Sequence, residues 1–175
     1  MTIQEICNYA EEISKKYNPE GLSPFPYENI QKDKSDLKIF RTGKLPDKVS
    51  GVIGFFQEEN NFSILINNTK SPTRQYFTIA HELGHYFLHQ EEIKKEFFVD
   101  EENVLDRAGM LYRRDEATST KLETEANNFA ASLIMPAELV KKAWEKLRDV
   151  EDCAEVFNVS VEAMSIRLSR LGLVN

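Results

Sequence analysis

The sequence predicts an α+β fold, in which a small antiparallel sheet packs with a histidine-bearing helix and a mostly helical C-terminal half. Three observations carry this expectation. Two short apolar runs, Val52–Phe56 and Phe62–Ile66, are separated by the polar segment Gln57–Asn61, the pattern of a hairpin. The stretch that follows holds every histidine of the chain, His81, His85 and His89, spaced by four. Beyond residue 119, apolar residues recur at helical rather than strand spacing.

A chain of 175 residues suits one domain with a real core. We expect residues 1–175 to form a single unit, with 137–175 as its helical C-terminal subregion. A hydrophobic fraction of 41% beside a charged fraction of 29% points to a globular protein rather than a disordered one. No apolar run approaches the length of a membrane-spanning helix. The start, MTIQEICNYAEEISKKY, lacks the basic and apolar blocks of a secretion signal, so a cytoplasmic location without a membrane partner is expected. The net charge of −7 disfavours direct nucleic-acid binding. Cys7 and Cys153 stand far apart and in no metal-type pair, and read as reduced packing residues.

The elements follow in order. Ile3, Ile6, Ala10, Ile13 and Tyr17 form a helical stripe that Asn18-Pro19 ends. Residues 21–36 are rich in Pro, Asn, Asp and Lys and read as a connection, with one short turn of helix near Tyr27–Gln31. Leu37–Arg41 is a short candidate strand, followed by the two hairpin strands. Ser71-Pro72 opens the histidine helix, because Ser caps well and Pro at the first helical position loses no hydrogen bond. Tyr76, Ala80, Leu83 and Phe87 then repeat at helical spacing.

Residues 91–118 are charged and irregular and read as a long loop, with Phe97–Val99 as its apolar knot and a strand near Met110–Tyr112. A second long helix is expected from Ser119 to Ile134, with Leu122, Ala126, Phe129, Ala130 and Leu133 on one side and Pro136 as its stop. Helices over Ala137–Arg148, Glu151–Phe157 and Ser160–Leu171 complete the chain. Ser160 caps the last of these and Gly172 ends it.

The histidine helix carries chemistry. Residues four apart on a helix lie about 40° apart around the axis and about 6 Å along it, so His81 and His85 can reach one ion. Zinc accepts imidazole nitrogen, and the intervening Glu82 is placed to take a proton from water at the metal, which completes His-Glu-x-x-His. An ionised Glu82 on a largely apolar helix is costly without such a partner. His89 lies roughly 12 Å along the axis from His81, too far to share the ion, and is assigned to packing or the helix end.

A catalytic zinc takes three protein ligands and keeps a position open. No histidine remains, so the third ligand is Asp, Glu or Cys. Glu123 lies beside the buried stripe of the second long helix, whereas Glu125 is read as turned toward solvent. Ala126, Ala130 and Ala131 allow that helix to come close to the first. Asn127, one turn beyond Glu123, can accept a hydrogen bond from the free ring nitrogen of a ligating histidine. The expected site is thus one zinc ion per chain on His81, His85 and Glu123, with Glu82 as base and Asn127 behind a ligand.

These residues carry a resemblance. RQYFTIAHELGHYFLH, then YRRDEATS, then ETEANNFAASLIMP is similar to the ImmA/IrrE family of bacterial and phage-associated zinc peptidases, and the tail EVFNVSVEAMSIRLSRLGL resembles their helical end. The resemblance spans roughly residues 50–175. It implies a gluzincin-like peptidase site with the same ligands and base. It also implies a protein substrate, a helix-turn-helix repressor of a mobile element or stress regulon, which no spacing in the chain shows. Tyr112, Arg113 and Arg114 precede the second long helix and are candidate donors to a developing oxyanion, Tyr112 foremost. A free edge of the strand Phe62–Ile66 is expected to pair with extended substrate.

Two rival readings come from other classes. Residues 154–170 resemble a helix-turn-helix in outline, with Arg167 and Arg170 available to DNA. Alternatively, the protein is a non-proteolytic anti-repressor or toxin–antitoxin interaction module with a structural metal. The open two-His, one-Glu composition argues against a structural site, which favours Cys and four protein ligands.

Overall fold

The structure, a computed structural model, describes residues 1–96 and 116–174. Its architecture is α+β. In chain order the described elements are α1 (Ile3–Tyr17), α2 (Glu28–Asp33), β1 (Leu37–Thr42), β2 (Gly51–Phe56), β3 (Asn61–Asn67), α3 (Pro72–Leu88), α4 (Gln90–Glu96), α5 (Glu116–Ile134), α6 (Ala137–Leu147), α7 (Val150–Phe157) and α8 (Val161–Arg170).

The hairpin forms where the polar segment suggests it. β2 and β3 pair antiparallel with Ile53 opposite Ile64, and Asn60 takes the left-handed conformation that closes the turn. β1 departs from the wholly antiparallel arrangement: it lies parallel to β3, with Ile39 opposite Ile64, so the sheet is mixed in the order β1-β3-β2. The connection 43–50 carries the chain past β3, and β3 then inserts between the two earlier strands. This overturns the expectation of a free edge on β3, which is paired on both sides. The edge left open among the described strands on the α3 side belongs to β2.

α3 starts as expected, with the Ser71 side chain accepting from the Arg74 N–H and Pro72 at the first position. Its inner face, Tyr76, Ile79, Ala80, Leu83 and Tyr86, is buried. Two boundaries move. The start of the segment expected to be loop, from Glu91, belongs to a helix over Gln90–Glu96: Ile93 is buried, and acidic residues in the first turn and lysines in the last complement the helix dipole. The second long helix begins at Glu116, ahead of Ser119. Phe97–Val99, the strand proposed near Met110–Tyr112, and the candidates Tyr112, Arg113 and Arg114 lie outside the described residues.

A continuous core runs from Ile6 through Phe62, Leu83, Phe129 and Met135 to Leu168. α5 packs on both α1 and α3, and the stacked rings of Phe87 and Phe129, 5.6 Å apart, mark the junction. Gly84 makes the α3–α5 contact close, since a Cβ there would lie 3.0 Å from the Cα and carbonyl oxygen of Ala126. Of the small residues read from the sequence, Ala126 is the one at this contact.

In the helix-turn-helix outline at the C-terminal end, one arginine is withdrawn into the fold and the other is exposed and hydrogen-bonded. Arg167 is buried, donating from Nε to the Met135 carbonyl and from Nη2 to Glu11, each at 2.9 Å. Arg170 donates to the Asn128 side-chain oxygen at 2.6 Å. Glu11 also accepts from the Ala137 N–H, so α1 caps α6. Both cysteines are free, Cys153 being buried. Among the described residues no helix is long and apolar enough to cross a membrane.

Candidate metal centre

His81 and His85 are one helical turn apart on α3, and their rings turn the same way, with Nε2 atoms 3.1 Å apart. α5 brings Glu123 to both: one carboxylate oxygen lies 3.2 Å from His81 Nε2, and the other 3.3 Å from His85 Nε2. Taking one donor atom from each residue, all three lie within 4.8 Å of one another. A tetrahedral ion with bonds of about 2.0–2.1 Å holds its ligand atoms roughly 3.3 Å apart, so the spacing and chemistry of this donor set fit a divalent metal. Among the described residues no other group of three or more His, Cys, Asp or Glu meets that test.

The electrostatics favour a cation at this point. Burial pushes the His85 ring down to about 4, partly offset by the Glu123 hydrogen bond, so a neutral imidazole faces the site at neutral pH. Burial also opposes protonation of His81, but Glu123 and Glu82 outweigh it and raise the ring's affinity for a proton. Hydrogen bonds from His81 and His85 hold Glu123 well below the usual carboxylate range.

Glu82 occupies the opposite situation. It is only 6% exposed, and burial pushes its carboxyl up to about 7, with His81 and a hydrogen bond from the Ile53 backbone resisting. The Ile53 contact follows from the sheet: the Asn67 N–H bonds the Ser50 carbonyl, and alternation along β2 then turns the Ile53 N–H outward, to the open edge. A carboxyl near 7 beside a metal-type donor set is a group able to exchange a proton at neutral pH.

Behind the donor atoms, the His81 Nδ1 lies 3.0 Å from the Asn127 side-chain oxygen, the placement expected from the i to i+4 relation of Glu123 and Asn127. His89 is indeed at the helix end, where it is the C-cap of α3, but its ring is engaged: Nδ1 lies 3.0 Å from His85 Nδ1, and Nε2 lies 2.9 Å from Glu125. The expectation that Glu125 faces solvent is overturned. Its side chain is 13% exposed, against 48% for Glu123. Glu123 and Glu125 lie two residues apart, roughly 200° of rotation, and so flank the buried stripe on opposite sides. The end of α3 covers the second flank. The available signal was the third histidine, which continues the step of four toward that carboxylate.

Comparison with known proteins places these features in context. Residues 33–169 match the peptidase family described as the IrrE N-terminal-like domain. The chain is 31% identical over 110 residues to the metallopeptidase ImmA of Bacillus subtilis, a match covering 62% of this chain and 57% of that protein. It is 32% identical over 93 residues to the radiation response metalloprotease IrrE of Deinococcus radiodurans, covering 53% and 25%. A solved structure described as a Mycobacterium tuberculosis transcriptional regulator shares the fold, with a TM-score of 0.63 at 20% identity, over 94% of this chain and 47% of that one. The chain therefore spans little more than half the length of these relatives, or less.

Proposed function

The chain belongs to the IrrE N-terminal-like peptidase family, and from that premise we propose that it is a zinc-dependent endopeptidase acting on a specific protein substrate. The observation that carries the reading is the convergence of His81, His85 and Glu123 with the buried Glu82 on the same helix. His81, His85 and Glu123 would hold one zinc ion per chain. Bound there, zinc supplies Lewis acidity, which makes water acidic near neutral pH and polarises a peptide carbonyl.

The remaining work falls to the chain. Glu82 accepts a proton from the attacking water as the water oxygen bonds to the carbonyl carbon. As the C–N bond breaks, Glu82 passes that proton to the leaving amine. A carboxyl with its affinity near neutrality suits both transfers. Asn127 holds the His81 ring by its far nitrogen. Tyr112 is our candidate donor to the carbonyl oxygen, to be tested by Tyr112→Phe.

By the resemblance of its motifs, the substrate we propose is a helix-turn-helix repressor of a mobile element or stress regulon. Elemental analysis of wild type, His85→Ala and Glu123→Ala tests the metal, with close to one zinc per chain expected in wild type and loss in both variants. Glu82→Gln tests the chemistry: zinc is retained while cleavage of the repressor is abolished. A protein that relieves repression by binding alone keeps its effect in Glu82→Gln, and that result would overturn the peptidase reading.

A further inference from the structure

We propose that Arg74 is a specificity-determining residue, selecting an acidic side chain of the substrate roughly two or three residues to the C-terminal side of the bond to be cut. The inference rests on the peptidase reading, and the register between α3 and β2 carries it. Arg74 precedes His81 by seven residues, two helical turns to within about 20°, so it lies on the histidine face about 10 Å toward the start of α3. Three contacts align β2 with that face. The Arg74 Nε donates to the Ser50 Oγ at 3.1 Å. One turn on, Gly51 lacks the Cβ that would meet the Thr78 methyl group at 2.5 Å, so the strand starts directly against the helix. One turn further, Glu82 meets the Ile53 N–H. β2 and α3 therefore run side by side in the same direction, from the guanidinium to the base and the metal donors.

The edge of β2 away from β3 is unpaired among the described strands, and its outward backbone groups belong to Gly51, Ile53 and Phe55. An extended substrate segment paired there antiparallel, the more stable arrangement, runs from Phe55 toward Gly51. With its reacting carbonyl beside Glu82, its C-terminal side approaches Ser50. Extended chain advances about 3.3 Å per residue, so the distance back to Arg74 spans about three residues. The chemistry of Arg74 fits this place. It is exposed, and of its guanidinium only Nε is engaged: among the described residues neither Nη group has a partner and no carboxylate pairs with it. The Ser50 contact steadies the arm and leaves a fork of N–H donors that matches a carboxylate. The net charge of −7 works against acidic segments elsewhere, so the preference falls on this position.

The test uses the full chain loaded with zinc and a library of random decapeptides blocked at both ends, with the cleavage products read by mass spectrometry. Wild type is expected to enrich Asp and Glu roughly 5-fold at the second or third residue after the cut bond, the scale of an exposed ion pair. Arg74→Glu is expected to move the enrichment to Lys and Arg at the same place, with zinc content at the wild-type level. Arg74→Gln should abolish the preference, and Arg74→Lys, which keeps the charge, should retain an acidic one. A residue that merely ties α3 to β2 through Ser50 would change cleavage of all peptides alike and leave the selectivity unmoved.

No acidic enrichment in wild type, or the same acidic enrichment in Arg74→Glu, would overturn the proposal and leave the peptidase reading standing. If wild type carries zinc and cuts no peptide, zinc-loaded Glu82→Gln is equilibrated with the library and the retained peptides are sequenced. Acidic residues are then expected to be enriched among them, and the bias to vanish when Arg74→Gln is added. Retention without that bias, or no retention at all, overturns the proposal. Wild type that binds no zinc sinks the peptidase reading itself and this inference with it.

Discussion

Gly84 of α3 sits against Ala126 of α5 with no room for a methyl group, since a Cβ would stand 3.0 Å from the Ala126 Cα and carbonyl oxygen. This contact lies one residue from His85 and three from Glu123 along their helices, so it sets how near the carboxylate comes to the rings.

Gly84→Ala tests that role. In an exposed helix the change would stabilise by about 1 kcal/mol, but overpacking against backbone costs about 1–3 kcal/mol. We expect a net loss of stability by denaturant titration, together with weaker zinc binding as the helices part. Zinc affinity equal to wild type would show that the site tolerates the displacement.

Glu82→Gln has a consequence apart from catalysis. The folded carboxyl is pushed up to about 7 from an ordinary 4.5, so the folded state binds its proton more tightly than the unfolded state does. Its contribution is fully present below pH 4.5 and is lost as pH rises through about 7. In chelator at pH 8, Glu82→Gln is therefore expected to exceed wild type in stability by on the order of 3 kcal/mol, and to match it near pH 4. Unfolding curves at the two pH values check the sign.

Asn127→Ala removes the acceptor from His81 Nδ1 at an exposed helical position. Zinc affinity should fall by about 10–100-fold while thermal unfolding in chelator stays near wild type. A large loss of chelator-state stability would mark Asn127 as a folding residue instead.

Zinc should act as a stabilising ligand. At a free concentration 100 times its dissociation constant it adds about 2.7 kcal/mol, seen as a rise in Tm that excess chelator reverses. Glu123→Ala should show little rise at the same zinc concentration.

Arg167→Leu probes the C-terminal helices. It removes two hydrogen bonds of a buried guanidinium and leaves Glu11 with only the Ala137 N–H, so a loss of about 2–4 kcal/mol is expected. Zinc content should not change. Wild type should give no salt-dependent shift of operator DNA, since the net charge is −7 and Arg167 is buried within the fold.

Much of this molecule is legible in its sequence, because much of it is local. The cap at Ser71 and Pro72, the shared face of His81 and His85, and the step from Glu123 to Asn127 all depend on one helix's geometry. The hairpin is local as well, its two strands being joined by four residues that end in Asn60. The same logic falters at Gln90–Glu96, where a charged surface hid one buried anchor, Ile93.

What the sequence alone determined is therefore the set of chemical groups and their placement along each helix: two imidazoles, a base between them, and carboxylates on a second amphipathic helix. Only the tertiary structure decided which edges of the sheet are used, since the pairing of β1 with β3 joins segments whose approach no local period records. It also decided the fate of Glu125. Periodicity places Glu123 and Glu125 on either flank of one stripe, and burial of a flank depends on what lies across from it. The end of α3, with the His89 ring, covers Glu125 and leaves Glu123 beside the two rings that face it.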